Sequence, residues 1–427
     1  MSMLSFNVLK QWVLTGSFSI ADQALFAGSN FVLNILLARW MEPAEYGAFA
    51  VAFSVFIFLS GFQNAIILEP MSVIGPVQYA EDLRGYLRIV FILNTIIGII
   101  ILFVLLGVSL FLSVFESSSV SPFLGLALSS PFTLLFWLFR RVWYLKTKPQ
   151  TSVAINIFYS VTLFFSLYVL HSINSLTPFS GFVVLGVACT ASSAVSLLFY
   201  NIHFKTYSFS TTNLHTKDVF LKHWHYGKWV VGSAFVFWLS GSIYVPLIGI
   251  FAGLENAGIM RALQNLILPV NNILTALTLL LLPWLSAKKR TSETKSMRKA
   301  ANIISGLMIL IAIIYMIFPM VAGEWLVNIL YGQSKYNNYL WMIPYLGIIV
   351  LLNAAGQGFS LSLRSAEYPN ALFWSQLGSA IITLTIGILL VWKYNLLGAM
   401  WGNIISAIVA LSIVVYSWKL LFKEKCT

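Results

Sequence analysis

The residues best placed to do chemistry in this 427-residue chain are polar groups set inside apolar runs, beginning with Asp22. A carboxylate in the middle of a membrane-spanning helix costs about 2.5–3.5 kcal/mol, so it needs a partner, a proton or water. In such a setting it can also take up and release a proton or a sodium ion. At 100° per residue, Asp22, Gln23, Ser29, Asn30 and Asn34 share about a third of a helix circumference, while Leu25, Phe31, Val32 and Ile35 lie elsewhere. That face either lines a wet cavity or joins neighbouring helices through amide hydrogen bonds.

A second polar stripe comprises Arg261, Gln264, Asn265, Asn272 and Thr275, with Pro269 as the expected kink. That stripe either lines a cavity or packs between helices. Arg261, Gln264, Asn265 and Asn272, with Asn30 and Asn34 of the first stripe, are the candidate cavity-lining residues, and Arg39 follows the first span. Arg39, Arg140, Arg141 and Arg364 lie near span ends, where snorkelling is the plainer account. For Gln63, Asn64, Glu69, Asn353 and Gln357 a structural role is at least as good an account. No P-loop, GxGxxG, HExxH or GxSxG pattern occurs, and no catalytic residue is assigned. Cys189 and Cys426 are far apart and suggest neither a disulfide nor a thiolate site. His223 and His225 flank Trp224 without a third ligand nearby, so no metal site is assigned.

The elements that must position these residues follow from composition. The chain is 59% hydrophobic and 9% charged, with a mean hydropathy of +0.87, so lipid must be its solvent. The expected fold class is an all-α integral membrane protein of about 12 transmembrane helices. Spans are expected near 15–38, 47–69, 87–112, 121–144, 151–171, 179–204, 229–252, 259–285, 300–322, 340–363, 370–391 and 396–420. The N-terminal MSMLSFNVLKQW lacks a small-residue cleavage site, so the first span is expected to stay as an anchor. With both termini cytoplasmic, only Arg39, Arg261, Lys335 and Lys393 among the 25 Lys and Arg fall outside. The net charge of +12 is thus explained by membrane orientation, and no nucleic-acid partner is implied. The expected organisation is a six-helix lobe over 1–204, a cytoplasmic linker with an interfacial helix over 205–228, and a second six-helix lobe over 229–427. Met41–Ala50 and Leu254–Ala262 echo each other: in both, a hydrophobe, Glu and Ala precede a Gly that opens the next span. Such an echo suggests a parallel repeat.

The stretches LLARWMEPAEYGAFAVAFSVF, FRRVWYLKTKP, LSLRSAEYPN and YNLLGAMWGNIISAIVAL, in this order, resemble polysaccharide flippases of the O-antigen and teichuronic-acid type. That family belongs to the superfamily that includes multidrug and toxic-compound extrusion (MATE) transporters. The resemblance implies a MATE-like, V-shaped pair of six-helix lobes in the bacterial cytoplasmic (inner) membrane. The implied substrate is an undecaprenyl-pyrophosphate-linked oligosaccharide, moved by alternating access. Arg39 and Arg261 would then draw the pyrophosphate, Asn and Gln would meet sugar, and Asp22 would couple transport to H⁺ or Na⁺. No cofactor is implied. Membrane lipid, a polysaccharide polymerase and glycosyltransferases are the implied partners. A cation-coupled multidrug exporter and a membrane-embedded polymerase or ligase are the alternatives. Against the last, no outer loop exceeds about 20 residues by this segmentation.

Overall fold

Lipid offers no hydrogen bonds to a peptide group, so each apolar run must satisfy its own backbone, and it does so as a helix. A computed structural model describes residues 6–115, 117–146, 148–204, 214–291, 294–332, 335–368 and 370–423. The expected linker residues 205–213, and Cys426, lie outside these. Among the described residues there is helix and no strand. Sixteen helices can be followed: α1 (Phe6–Trp40), α2 (Pro43–Gln63), α3 (Glu69–Gln78), α4 (Leu83–Ser113), α5 (Val120–Leu145), α6 (Pro149–Ser172), α7 (Pro178–Phe204), α8 (Thr216–Phe237), α9 (Tyr244–Phe251), α10 (Leu254–Asn265), α11 (Leu268–Thr291), α12 (Thr294–Val321), α13 (Gly323–Tyr331), α14 (Met342–Ser365), α15 (Asn370–Ile382) and α16 (Ile388–Lys423). Three wide turns of π-helix, Asn64–Leu68, Trp238–Ser242 and Thr383–Gly387, interrupt them.

Nine helical segments among the described residues are long and apolar enough to cross a membrane, and two bent pairs, α8 with α9 and α10 with α11, bring the number to 11. The last of the nine, Asn370–Leu421, is 52 residues long. At 1.5 Å per residue that is about twice what a bilayer needs. It doubles back: Ser375 Oγ donates to the Ala410 carbonyl at 2.9 Å, and the Thr383 and Ser406 hydroxyls meet at 3.0 Å. The turn falls at Asn395 (φ 50°, ψ −124°), between the two final spans expected from sequence. Counted as a hairpin, this segment gives the chain twelve crossings, a multi-pass membrane protein. Asn395 holds a backbone conformation that glycine adopts freely and other residues adopt at a cost. Asn395→Gly is expected to raise stability by about 1 kcal/mol, read as a higher melting temperature of the purified protein; a lower one would count against strain at this turn.

By internal contacts the chain divides into two units, Met1–Met41 with Val55–Ala234, and Glu42–Ser54 with Phe235–Thr427. In the first, α5 packs between α4 and α7, α6 packs on α7, and α1 packs on α6. One core cluster gathers Met71, Tyr86, Leu87, Val90, Leu138, Val142 and Val219 from α3, α4, α5 and α8, with Tyr79 stacked on Tyr86 at 4.4 Å. The segment expected to be an interfacial helix is the start of α8, which runs unbroken into the seventh span. In the second unit, α14 packs on α12, α11 and α16, and α9 on α10 and α16.

The two echoed sequence motifs meet inside this second unit. A Cβ on Gly47 would lie 1.7 Å from the Leu254 carbonyl oxygen, and a Cβ on Gly258 would lie 2.0 Å from that of Pro43. The contact is reciprocal, each glycine opposing a carbonyl four residues before the other. Small residues are what allow two helix backbones to approach this closely.

Candidate functional site

Asp22 of α1 is fully buried, and four donors converge on it. They come as two pairs spaced i, i+4, which places both members of a pair on one helix face. From α5, Arg140 Nη2 donates to Oδ2 at 2.8 Å and Tyr144 Oη donates to the same oxygen at 2.7 Å. From α6, Ser152 Oγ donates to Oδ1 at 2.8 Å, and Asn156 Nδ2 donates to it as well. A carboxylate has about four acceptor positions, and here all are used. The buried charge is thereby compensated by an opposite charge and satisfied by hydrogen bonds, the two conditions for keeping it out of water. One turn along α1, the Phe26 ring lies 3.8 Å beneath the Arg140 guanidinium, a cation–π contact that adds to its retention.

The polar face of α1 expected from sequence is therefore real but mostly enclosed by protein. Ser29 pairs with Ser160 of α6 at 2.6 Å. Asn30 and Asn34 donate to their own helix, at the carbonyls of Phe26 and Asn30, both at 2.8 Å. Only Gln23 of this face is exposed, and Asn30 is half-buried. Gln23 opens on a cavity of about 250 Å³ lined also by Asn64, Trp137, Arg140, Arg141 and Tyr144. Arg140, for which snorkelling to the interface was the plainer expectation, is instead held by Asp22, while Arg141 is exposed beside the cavity. Arg140, Tyr144, Ser152 and Asn156 were not singled out as a set. Their signal is the pair of i, i+4 polar spacings, Arg140 with Tyr144 and Ser152 with Asn156, on spans that also needed to answer a buried acid.

The wide turn Asn64–Leu68 shapes one wall of this cavity. A π-turn leaves carbonyls out of the regular ladder, and wide turns of this kind are frequent at functional positions. The carbonyl of Ile66 is taken by His223 Nδ1 at 2.8 Å, while the Tyr86 hydroxyl lies 2.7 Å from Nε2. Since a carbonyl only accepts, Nδ1 carries the proton and Tyr86 donates to Nε2. His223 is fully buried and ties α8 to the turn and to α4.

In the second unit the expected stripe is divided by a helix break. Between Asn265 and Leu268 the axis turns by 51°, just before Pro269, whose ring cannot continue a regular helix. Arg261 and Gln264 are half-buried, Asn265 is fully buried, and Asn272 is exposed. Asn265 Nδ2 donates to the buried Tyr46 hydroxyl at 3.1 Å, and Arg261 also hydrogen-bonds to Tyr46. Tyr331 Oη donates to the Ala262 carbonyl at 2.6 Å. Asn265 Oδ1 is buried without a partner. Arg39, on the last turn of α1, is exposed and belongs to the first unit, whereas Arg261 belongs to the second.

Solved structures with this arrangement of helices include transporters of the MATE type. An inward-facing multidrug resistance MATE family transporter of the MOP superfamily superposes with a TM-score of 0.73 at 12% identity, over 94% of this chain and 96% of the other. A MOP superfamily transporter from Pyrococcus furiosus, described as having a binding pocket of reverse polarity, gives 0.63 at 14% identity, over 98% and 96%. The MATE multidrug transporter DinF-BH gives 0.66 at 17% identity, over 96% and 95%. At such identities the likeness shows the fold, which is MATE-like. No curated protein matches the sequence. Residues 36–341 match the family model described as polysaccharide biosynthesis protein, and over that span, more than half of its length, the chain belongs to the polysaccharide biosynthesis protein family.

Proposed function

We propose that this protein is a translocase for lipid-linked oligosaccharide in the bacterial cytoplasmic membrane, moving its cargo by alternating access with both termini cytoplasmic. The observation that carries the reading is a polysaccharide biosynthesis family sequence built on a transporter fold. A polar head must cross hydrocarbon shielded by protein, while a polyprenyl tail stays in lipid. The cavity beside Asp22 supports an anionic head: Arg140 and Arg141 border it, and its volume of about 250 Å³ is below that of pockets for drug-sized ligands. It fits a phosphate-bearing headgroup and not a whole glycan. Arg39 and Asn272 are exposed and Arg261 and Gln264 half-buried; these four are assigned to pyrophosphate and sugar contacts. Asn265, enclosed, ties α10 to α2 through Tyr46, and Asn34, also enclosed, donates within α1.

Asp22 is proposed to couple transport to protons rather than sodium. The Arg140 guanidinium already stands 2.8 Å from the carboxylate as its counter-charge, so a sodium ion at the same place would meet a neighbouring positive charge at close range. Protonation would remove the charge opposite Arg140 and leave two guanidinium groups facing the cavity, with an anionic head as their natural counterion.

Cells lacking the protein are expected to lose surface polysaccharide and accumulate intact lipid-linked repeat units on the cytoplasmic face. In complementation at equal expression, Arg141→Ala is expected to restore less surface glycan than the wild type, and Asp22→Asn to transport without response to the proton gradient. Normal surface glycan together with heightened sensitivity to cationic drugs would overturn the reading in favour of drug export.

A further inference from the structure

On the first unit, α4 and α7 each pack against α5 but scarcely against each other, so a furrow runs over α5 between them. It measures about 1060 Å³. Its walls are unequal from end to end. Phe132, Ile92 and Leu197 are 43%, 45% and 47% exposed along the apolar part. At one end stand Arg84 and Arg88, an i, i+4 pair on one face of α4. Near them Phe91 closes the floor, its ring 5.0 Å from Phe139 and 6.0 Å from Tyr200. The one acid among the lining residues, Asp82, caps α4 by accepting from the Gly85 amide at 3.0 Å, and stands against two arginines.

We propose that this furrow binds an anionic phospholipid of the cytoplasmic leaflet, its phosphate between Arg84 and Arg88 and an acyl chain over α5. With the cytoplasmic termini proposed above, on which this part of the inference rests, the arginine end of α4 lies on the cytoplasmic side, where anionic lipids and basic residues attract each other. A chain lying along Phe132 and Leu197 removes their exposed surface from competition with looser bulk lipid, and the guanidinium pair selects for the charge of the head. The site stands whatever the cargo of the transporter is, since it draws on none of the residues around Asp22.

The test uses the full-length protein, delipidated in a neutral detergent, with its melting temperature read against added phosphatidylglycerol, phosphatidylcholine or polyprenyl phosphate. Phosphatidylglycerol is expected to raise it by several degrees and phosphatidylcholine by little. The Arg84→Gln/Arg88→Gln variant is expected to lose that difference. Leu197→Trp, which fills the apolar part at a position already half-exposed, is expected to reduce it with the arginines intact, and covers the case in which the double variant does not fold. Equal stabilisation by both phospholipids, or a response unchanged in both variants, would overturn the proposal. Stabilisation by polyprenyl phosphate alone, abolished in the variants, would overturn it too, reassigning the furrow to a carrier lipid.

Discussion

Arg140→Ala is expected to destabilise the protein by about 3–5 kcal/mol, the cost of stranding a buried charge. Asp22 has no exposed surface, and the Arg140 side chain is only 11% exposed. Removing the guanidinium leaves a carboxylate that Tyr144, Ser152 and Asn156 still hydrogen-bond but no longer neutralise. The opposite expectation attaches to a snorkelling arginine, whose truncation at an interface changes stability by a fraction of a kcal/mol. The two accounts of Arg140 are thus separated by several kcal/mol, read as the melting temperature and protease resistance of the protein in nanodiscs. An Asp22→Asn/Arg140→Gln variant removes both charges while keeping polar groups in place, and it is expected to recover most of the loss. Recovery would locate the damage in the unpaired charge; equal instability of the single and double variants would locate it in the packing of Arg140 on Phe26, and an unchanged melting temperature for Arg140→Ala would remove the ion pair from the stability of the unit altogether.

Lipid makes some features of such a chain legible from sequence and hides others. Spans are legible because hydrocarbon demands about 20 apolar residues in a row, and the expected spans correspond closely to helices such as α4, α5 and α14. The polar face of α1 is legible for the same reason, since helical periodicity shows which residues share a side. What answers that face is not. Arg140 lies 118 residues from Asp22 and Asn156 lies 134 residues away, and one sequence carries no record of which helices become neighbours. Helix breaks are hidden to different degrees. Pro269 signals the bend after Asn265 because proline lacks an amide donor, but no residue type marks the wide turns at Asn64–Leu68, Trp238–Ser242 and Thr383–Gly387, which depend on tertiary partners. The stripe from Arg261 to Thr275 therefore read as one face, while the chain turns through 51° inside it. The echo of Met41–Ala50 in Leu254–Ala262 was visible as a repeat, yet its physical meaning, a contact between the two copies, appears only in three dimensions.

That contact makes the glycines among the least replaceable residues in the second unit. Gly258→Ala is expected to cost about 3 kcal/mol, the upper end of what overpacking a well-filled interior incurs. The added methyl group would sit 2.0 Å from the Pro43 carbonyl oxygen and 2.9 Å from the Gly47 amide nitrogen. Both are backbone atoms at the start of α2 and cannot swing aside as a side chain would, so the two helices must separate by more than an ångström, on the order of the gap between this approach and ordinary contact. Gly47→Ala meets the Leu254 carbonyl in the same way from the other side, at 1.7 Å. Because one separation relieves both clashes, the Gly47→Ala/Gly258→Ala variant is expected to cost clearly less than the two single costs added, as substitutions sharing one interface do. Gly306→Ala provides the contrast: it is exposed on α12 with nothing near its missing Cβ, and alanine there is expected to be neutral or stabilising by about 0.5–1 kcal/mol. Yields of monodisperse protein and melting temperatures for the four variants read all of this at once. Strict additivity of the two single losses would mean that the echoed motifs act at separate places, and tolerance of Gly258→Ala would mean that the close approach is not required.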